Sequence, residues 1–156
     1  MTIETLASTP EATAHDDSEW LQWLQWLPGE RVAIRIPSTK TLGRYTVLEV
    51  EAMQQSGPPL HIHHNEDEHF IVLEGTVRIV FGDRSADVTP GTVLTVPRGT
   101  PHAWANLSGS PVRMLAVFSP GGIEGFFREV AVVDKSGIES VATAYGCSMV
   151  GPPLYG

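Results

Sequence analysis

Residues 61–75 read His61-Ile62-His63-His64-Asn65-Glu66-Asp67-Glu68-His69-Phe70-Ile71-Val72-Leu73-Glu74-Gly75. In an extended chain, residues two apart share a face. His61 and His63 therefore project together, with Ile62 turned away. Asn65-Glu66-Asp67 is rich in turn formers and bends the chain. Glu68, Phe70 and Val72 then share a face. If that face is the interior, Glu68 arrives beside His61 and His63, while His64 and His69 have the opposite parity and point outward. A second stretch, Gly91-Thr92-Val93-Leu94-Thr95-Val96-Pro97-Arg98-Gly99-Thr100-Pro101-His102-Ala103-Trp104-Ala105-Asn106, marks turns at Gly91, Pro97 and Gly99. His102, Trp104 and Asn106 then lie on one face. These two stretches hold five of the six histidines; the sixth, His15, lies in a segment poor in apolar residues.

Neutral imidazoles and a carboxylate inside a barrel are costly unless something pairs with both. A divalent metal ion does so. Three imidazoles and one carboxylate around it leave a single net positive charge and open positions for water, oxygen or substrate. That pattern belongs to redox or Lewis-acid sites more than to closed structural ones. Imidazole and carboxylate suit Fe, Ni, Mn, Zn, Co and Cu in varying degree, so the expectation is one divalent transition metal ion per chain.

The flanking sequence predicts a β protein. From Arg31 onward the apolar period is two: Val32, Ile34 and Ile36 alternate with their neighbours, as do Thr46, Leu48 and Val50, and Val77, Ile79 and Phe81. Short runs follow at 84–89, 92–96, 102–107 and 112–118, separated by turn signals such as Glu74-Gly75, Gly82-Asp83 and Pro90-Gly91. Many short strands at this spacing predict a sandwich or barrel. Residues 1–15 are expected to be disordered. In 16–30, Trp20, Trp23, Leu24 and Leu27 recur at helical spacing, and Asp16 with Glu19 resembles a capping box, so a short amphipathic helix is expected before Pro28-Gly29. The barrel is expected over 31–120. The remainder, 121–156, reads as a helical extension, with a helix around Gly125–Glu129 and another opened by a Ser136/Glu139 capping box and stopped at Gly146.

With 156 residues, one domain is expected. The net charge of -8 argues against a nucleic-acid partner. No apolar run approaches the roughly 18 residues of a membrane span, and the N-terminus has no secretory signal pattern. Cys147 is the only cysteine, which excludes an internal disulfide and fits a reducing cytoplasm. It reads as a small buried hydrophobe.

The two stretches resemble the signature motifs of the cupin superfamily. The first motif, G-x5-H-x-H-x3,4-E-x6-G, is matched by His61, His63, Glu68 and Gly75. Its initial glycine is replaced by Gln55, and the nearest glycine is Gly57. The second, G-x5-P-x-G-x2-H-x3-N, is matched in full by Gly91, Pro97, Gly99, His102 and Asn106. The resemblance covers roughly residues 46–118. It implies a single antiparallel jelly-roll barrel with His61, His63, Glu68 and His102 as metal ligands, and a homodimer, the usual state of single-domain cupins. Within the superfamily, residues 58–75 and the tail resemble small bacterial quercetin-dioxygenase-like proteins.

Val50, Phe70, Val72, Trp104, Met114 and Phe118 are expected to line a mostly apolar pocket for a small molecule, although inward residues of small barrels often simply fill the core. Phe126 and Phe127 are candidates to lid one mouth. The function expected first is a mononuclear metal-dependent dioxygenase acting on a small aromatic, flavonol-like substrate, with Glu68 as both ligand and general base. The alternatives are a metal-dependent isomerase, cyclase or lyase, and a non-catalytic small-molecule- or metal-binding protein.

Overall fold

Val112, Met114, Ala116 and Phe118 are buried, while the residues between them are more exposed, as a half-covered strand requires. This strand lies at the centre of the larger of two antiparallel sheets. The computed structural model describes residues 22–155. In chain order they form β1 (Trp23–Leu27), β2 (Glu30–Ile36), β3 (Thr46–Ala52), β4 (His61–His63), β5 (Asp67–Glu74), β6 (Val77–Phe81), β7 (Arg84–Val88), β8 (Val93–Val96), β9 (His102–Ala105), β10 (Val112–Ser119), α1 (Glu124–Val130), α2 (Ile138–Ala144) and β11 (Cys147–Met149). One sheet has the order β1-β2-β3-β10-β5-β8 and the other β11-β4-β9-β6-β7. Consecutive strands repeatedly cross between the sheets, so the fold is an antiparallel jelly roll, as expected. Val32, Leu48, Val50, Phe70, Val72, Ile79, Trp104, Met114 and Phe118 form the core.

Register places the motif residues. His61 on β4 lies opposite His102 on β9. Glu68 on β5 lies between Phe118 of β10 and Val96 of β8. The turn glycines permit this closure. A Cβ at Gly75 would stand 2.6 Å from Val112 Cγ1, and Gly75 has φ +80°. At Gly57, φ is +149° and a Cβ would stand 2.1 Å from the Trp104 carbonyl oxygen. Only glycine allows that approach. Gln55 itself adopts a left-handed backbone, φ +56°, so the turn at the motif's first position forms without glycine. Asn106 is buried and acts as a clamp: its amide donates to the Ala52 and Ser110 carbonyls and its oxygen accepts from Ser108.

The N-terminal expectation needs correction. Where described, residues 23–27 form a strand and not a helix. They pair with β2 through the Pro28-Gly29 turn, Trp23 opposite Ala33 and Leu24 opposite Val32. Leu24 and Trp26 pack inward, while Arg31 and Arg35 lie over the Trp23 ring. A five-residue stretch, four of its residues apolar, does not distinguish the two periods, and an open sheet edge offers hydrogen bonds that a short helix must find within itself. The Asp16/Glu19 box, Trp20 and the segment 1–15 lie outside the described residues.

The C-terminal part contains the two short helices but also β11, which pairs with β4, Cys147 opposite His63 and Met149 opposite His61. The Ser136/Glu139 capping box does not form: Lys135–Gly137 make a 3-10 turn, and α2 starts after Gly137 without a side-chain cap. Helix α1 lies at the barrel mouth, where Phe126 and Phe127 meet Trp26 edge-on at 5.6 and 5.5 Å between ring centres. No helix among the described residues is long and apolar enough to cross a membrane.

Candidate metal centre

His61 and His63 reach the interior from β4, Glu68 from β5 and His102 from β9. All four are buried, and one donor atom from each lies within 4.8 Å of the others. Backbone carbonyls fix two of the imidazoles. His61 Nδ1–H donates to Pro59 O at 2.7 Å, and His102 Nδ1–H donates to Thr100 O at 2.9 Å. In both rings this leaves Nε2 to act in the cluster. His102 Nε2 is 2.8 Å from Glu68 Oε2, and His63 Nε2 is 3.5 Å from the same oxygen. On its other side, His63 Nδ1 has no hydrogen-bond partner among the described residues, and Glu66 Oε2, equally unpartnered, faces it at 3.8 Å. A carboxylate behind a ligating imidazole favours the tautomer with Nδ1–H outward.

The charges suit a cation. Burial, and then the neighbouring His102, push the His61 pKa down to about 3. His63 is held well below the usual histidine range by burial, then by His61 and His102. Both rings stay neutral. For His102, burial works against the charged form, but the hydrogen bond and charge of Glu68 outweigh it and raise the pKa. Without a metal, the His102–Glu68 pair therefore keeps its proton to higher pH than a free imidazole, and a divalent ion would displace it. The donor set thus fits one metal ion.

His64 and His69 lie outside the cluster. His64 is exposed, its Nε2 2.9 Å from Ser148 Oγ, and His69 Nδ1 is 2.9 Å from Thr95 Oγ1. Beside the cluster is a cavity with a void of about 40 Å3. Of the residues expected to line it, Val50, Trp104 and Phe118 do so. Phe70, Val72 and Met114 do not; they are part of the packed core. Two residues along a strand move a side chain by roughly 6.6 Å, and the deeper layers of a small barrel are filled by side chains. Trp26, Glu30, Phe126, Phe127 and Cys147 also line it. Burial pushes the Cys147 thiol up to about 12, which makes it inert as a nucleophile. Glu30 and Glu66 are the polar residues that the motif reading overlooked. Carrying the Val32/Ile34/Ile36 alternation back one step would have put Glu30 inside.

The Cupin domain family matches residues 48–118. Mannose-1-phosphate guanylyltransferase 2 of Escherichia coli O157:H7 is 32% identical over 49% of this chain and 16% of its own length. Quercetin 2,3-dioxygenase of Bacillus subtilis strain 168 is 31% identical over 56% of this chain and 26% of its own. The chain thus spans a minor part of either protein. The solved structure of KdgF from a Halomonas species superposes with a TM-score of 0.60 at 18% identity, over 67% of this chain and 90% of that one.

Proposed function

Since the chain belongs to the cupin superfamily, we propose that it is a mononuclear metal-dependent dioxygenase acting on a small, enolisable aromatic substrate. One observation carries this reading: two imidazoles kept neutral by burial, a third paired with Glu68, and Glu68 itself converge in a buried pocket with an apolar wall. The likeness to a quercetin 2,3-dioxygenase adds support over the matched segment. A bound divalent ion would supply Lewis acidity and, for a redox metal, a site for oxygen chemistry. The chain's residues do the rest. In this reading His61, His63 and His102 present Nε2 to the ion, and Glu68, whose Oε2 lies 2.8 Å from His102 Nε2, accepts the proton of a substrate hydroxyl. Trp104, Phe118 and Phe126 exclude water from that transfer.

The void constrains the substrate. An apolar cavity that holds benzene measures about 150 Å3, several times the space found here. Any ring therefore enters only as side chains that line the void give way. The same limit favours a second reading, a redox-neutral isomerase, cyclase or lyase, because such a reaction needs room for one compact substrate and none for dioxygen. Oxygen-electrode assays with a flavonol panel and the Fe-, Ni-, Mn- or Co-loaded protein should show uptake. Turnover without oxygen would replace the first reading by the second. A retained ligand without turnover would indicate a binding protein.

The proposal includes a homodimer in the cytoplasm. Edge strand β8 ends the larger sheet and exposes Val93, and such edges need covering. Sedimentation should give twice the chain mass; a monomer at micromolar concentration would overturn the dimer.

A further inference from the structure

Glu30 has no place in the metal-binding pattern, yet it lines the same cavity. It sits at the first position of β2, on the inward face with Val32 and Ile34, and is 2% exposed. One carboxyl oxygen, Oε1, accepts from Trp26 Nε1–H at 2.7 Å. The other, Oε2, is buried and has no hydrogen-bond partner among the described residues. An unpaired buried carboxyl oxygen costs stability, and such a group in a cavity calls for an explanation.

We propose that Glu30 is a substrate-binding residue, whose Oε2 hydrogen-bonds a hydroxyl or carbonyl oxygen of a compact uncharged molecule held by its other oxygens at the His61/His63/Glu68/His102 cluster. This rests on the reading of the cavity as a substrate pocket and adds to it a second polar contact point. The ligand class follows from the surroundings. The rest of the wall is largely apolar, so the ligand body is apolar or aromatic. No cation among the described residues is paired with Glu30, and burial, opposed by the Trp26 hydrogen bond and reinforced by the charge of Glu68, pushes its pKa up to about 8. In the metal-free protein the group carries a proton at neutral pH, and burial, the largest cause, favours the same donor with an ion at the cluster, so it donates to a neutral oxygen. An anionic group at that end of the ligand would be buried there with no positive charge among the described residues to offset its desolvation. The metal cluster thus selects an enol or phenol, and Glu30 selects a second oxygen remote from it.

Two hydroxypyranones test this directly. Kojic acid and allomaltol share one chelating hydroxy-ketone and differ only in a remote hydroxyl. Each would be titrated into the cobalt(II)-loaded protein and followed by the cobalt absorption bands. The wild-type protein should bind kojic acid about tenfold more tightly than allomaltol, the effect of one hydrogen bond to a buried group. Glu30→Met, similar in length but without a polar end, should bind both equally, at the wild-type affinity for allomaltol. Glu30→Gln, which keeps a donor, should restore part of the preference and guards against a packing effect of methionine. Equal binding of the two compounds by the wild-type protein would overturn the role of Glu30 and leave the metal pocket standing. Failure of both to perturb the cobalt bands would overturn the pocket reading, and this proposal with it.

Discussion

Replacing His102 with alanine is expected to reduce the metal content from about one ion per chain to a trace and to weaken affinity by at least about a hundredfold. His102 supplies Nε2, locked in place by the Thr100 carbonyl, and it also holds Glu68 at 2.8 Å. Without it, one donor is lost and the remaining carboxylate loses its nearest partner. The pH dependence provides a second mark of the same residue. Because Glu68 raises the His102 pKa, the metal-free protein keeps a proton that binding must expel. Affinity should therefore rise about tenfold per pH unit until that pKa is passed, and then level. Calorimetry at several pH values in two buffers of different ionisation enthalpy reads the released proton. Saturating metal at about a thousand times Kd should also stabilise the wild-type fold by about 4 kcal/mol, an effect that His102→Ala should lack. Full metal retention by His102→Ala in elemental analysis would sink the assignment.

The metal-free protein should lose stability as pH rises from about 6.5 to about 8, and Glu30 should be a main cause. Its folded pKa is raised to about 8 from an ordinary value of 4.5. Across that window the folded state binds more protons than the unfolded state, so stability falls with pH and is flat above it. Glu66, raised to about 7 by burial, acts in the same direction. His61 and His63 act oppositely: their folded pKa values are depressed, so their contribution grows as pH rises towards 6.5. Measuring between pH 6.5 and 8 separates them. Over this range wild-type should lose roughly 2 kcal/mol more than Glu30→Gln, by the conversion of about 1.4 kcal/mol per pH unit. Urea unfolding of the two metal-free proteins makes the comparison, and parallel curves would refute the buried-acid assignment.

Much of the site was legible because its rule is local. The spacing of His61, His63 and Glu68 needs only strand parity and one bend, and parity also sent His64 and His69 outward, where they meet Ser148 and Thr95. The turn glycines were equally readable. The N-terminal run was not. Its Trp and Leu spacing satisfies a helix, and what made it a strand was the free edge of β2, far from anything the run itself encodes. Lining residues failed for a related reason: Phe70, Val72 and Met114 have the same parity as the cavity wall but lie in another layer. Parity gives a face and not a depth.

By itself, then, the sequence determined the strand-rich fold, the four candidate ligands and the outward histidines, because alternation and turn chemistry act within a few residues. Only the tertiary structure decided that Trp26 and α1 narrow the mouth, that β11 backs β4, that the void is small and that Glu30 faces into it unpaired. Those outcomes depend on how side-chain volumes from distant strands fill one enclosed space, and no local period carries that sum.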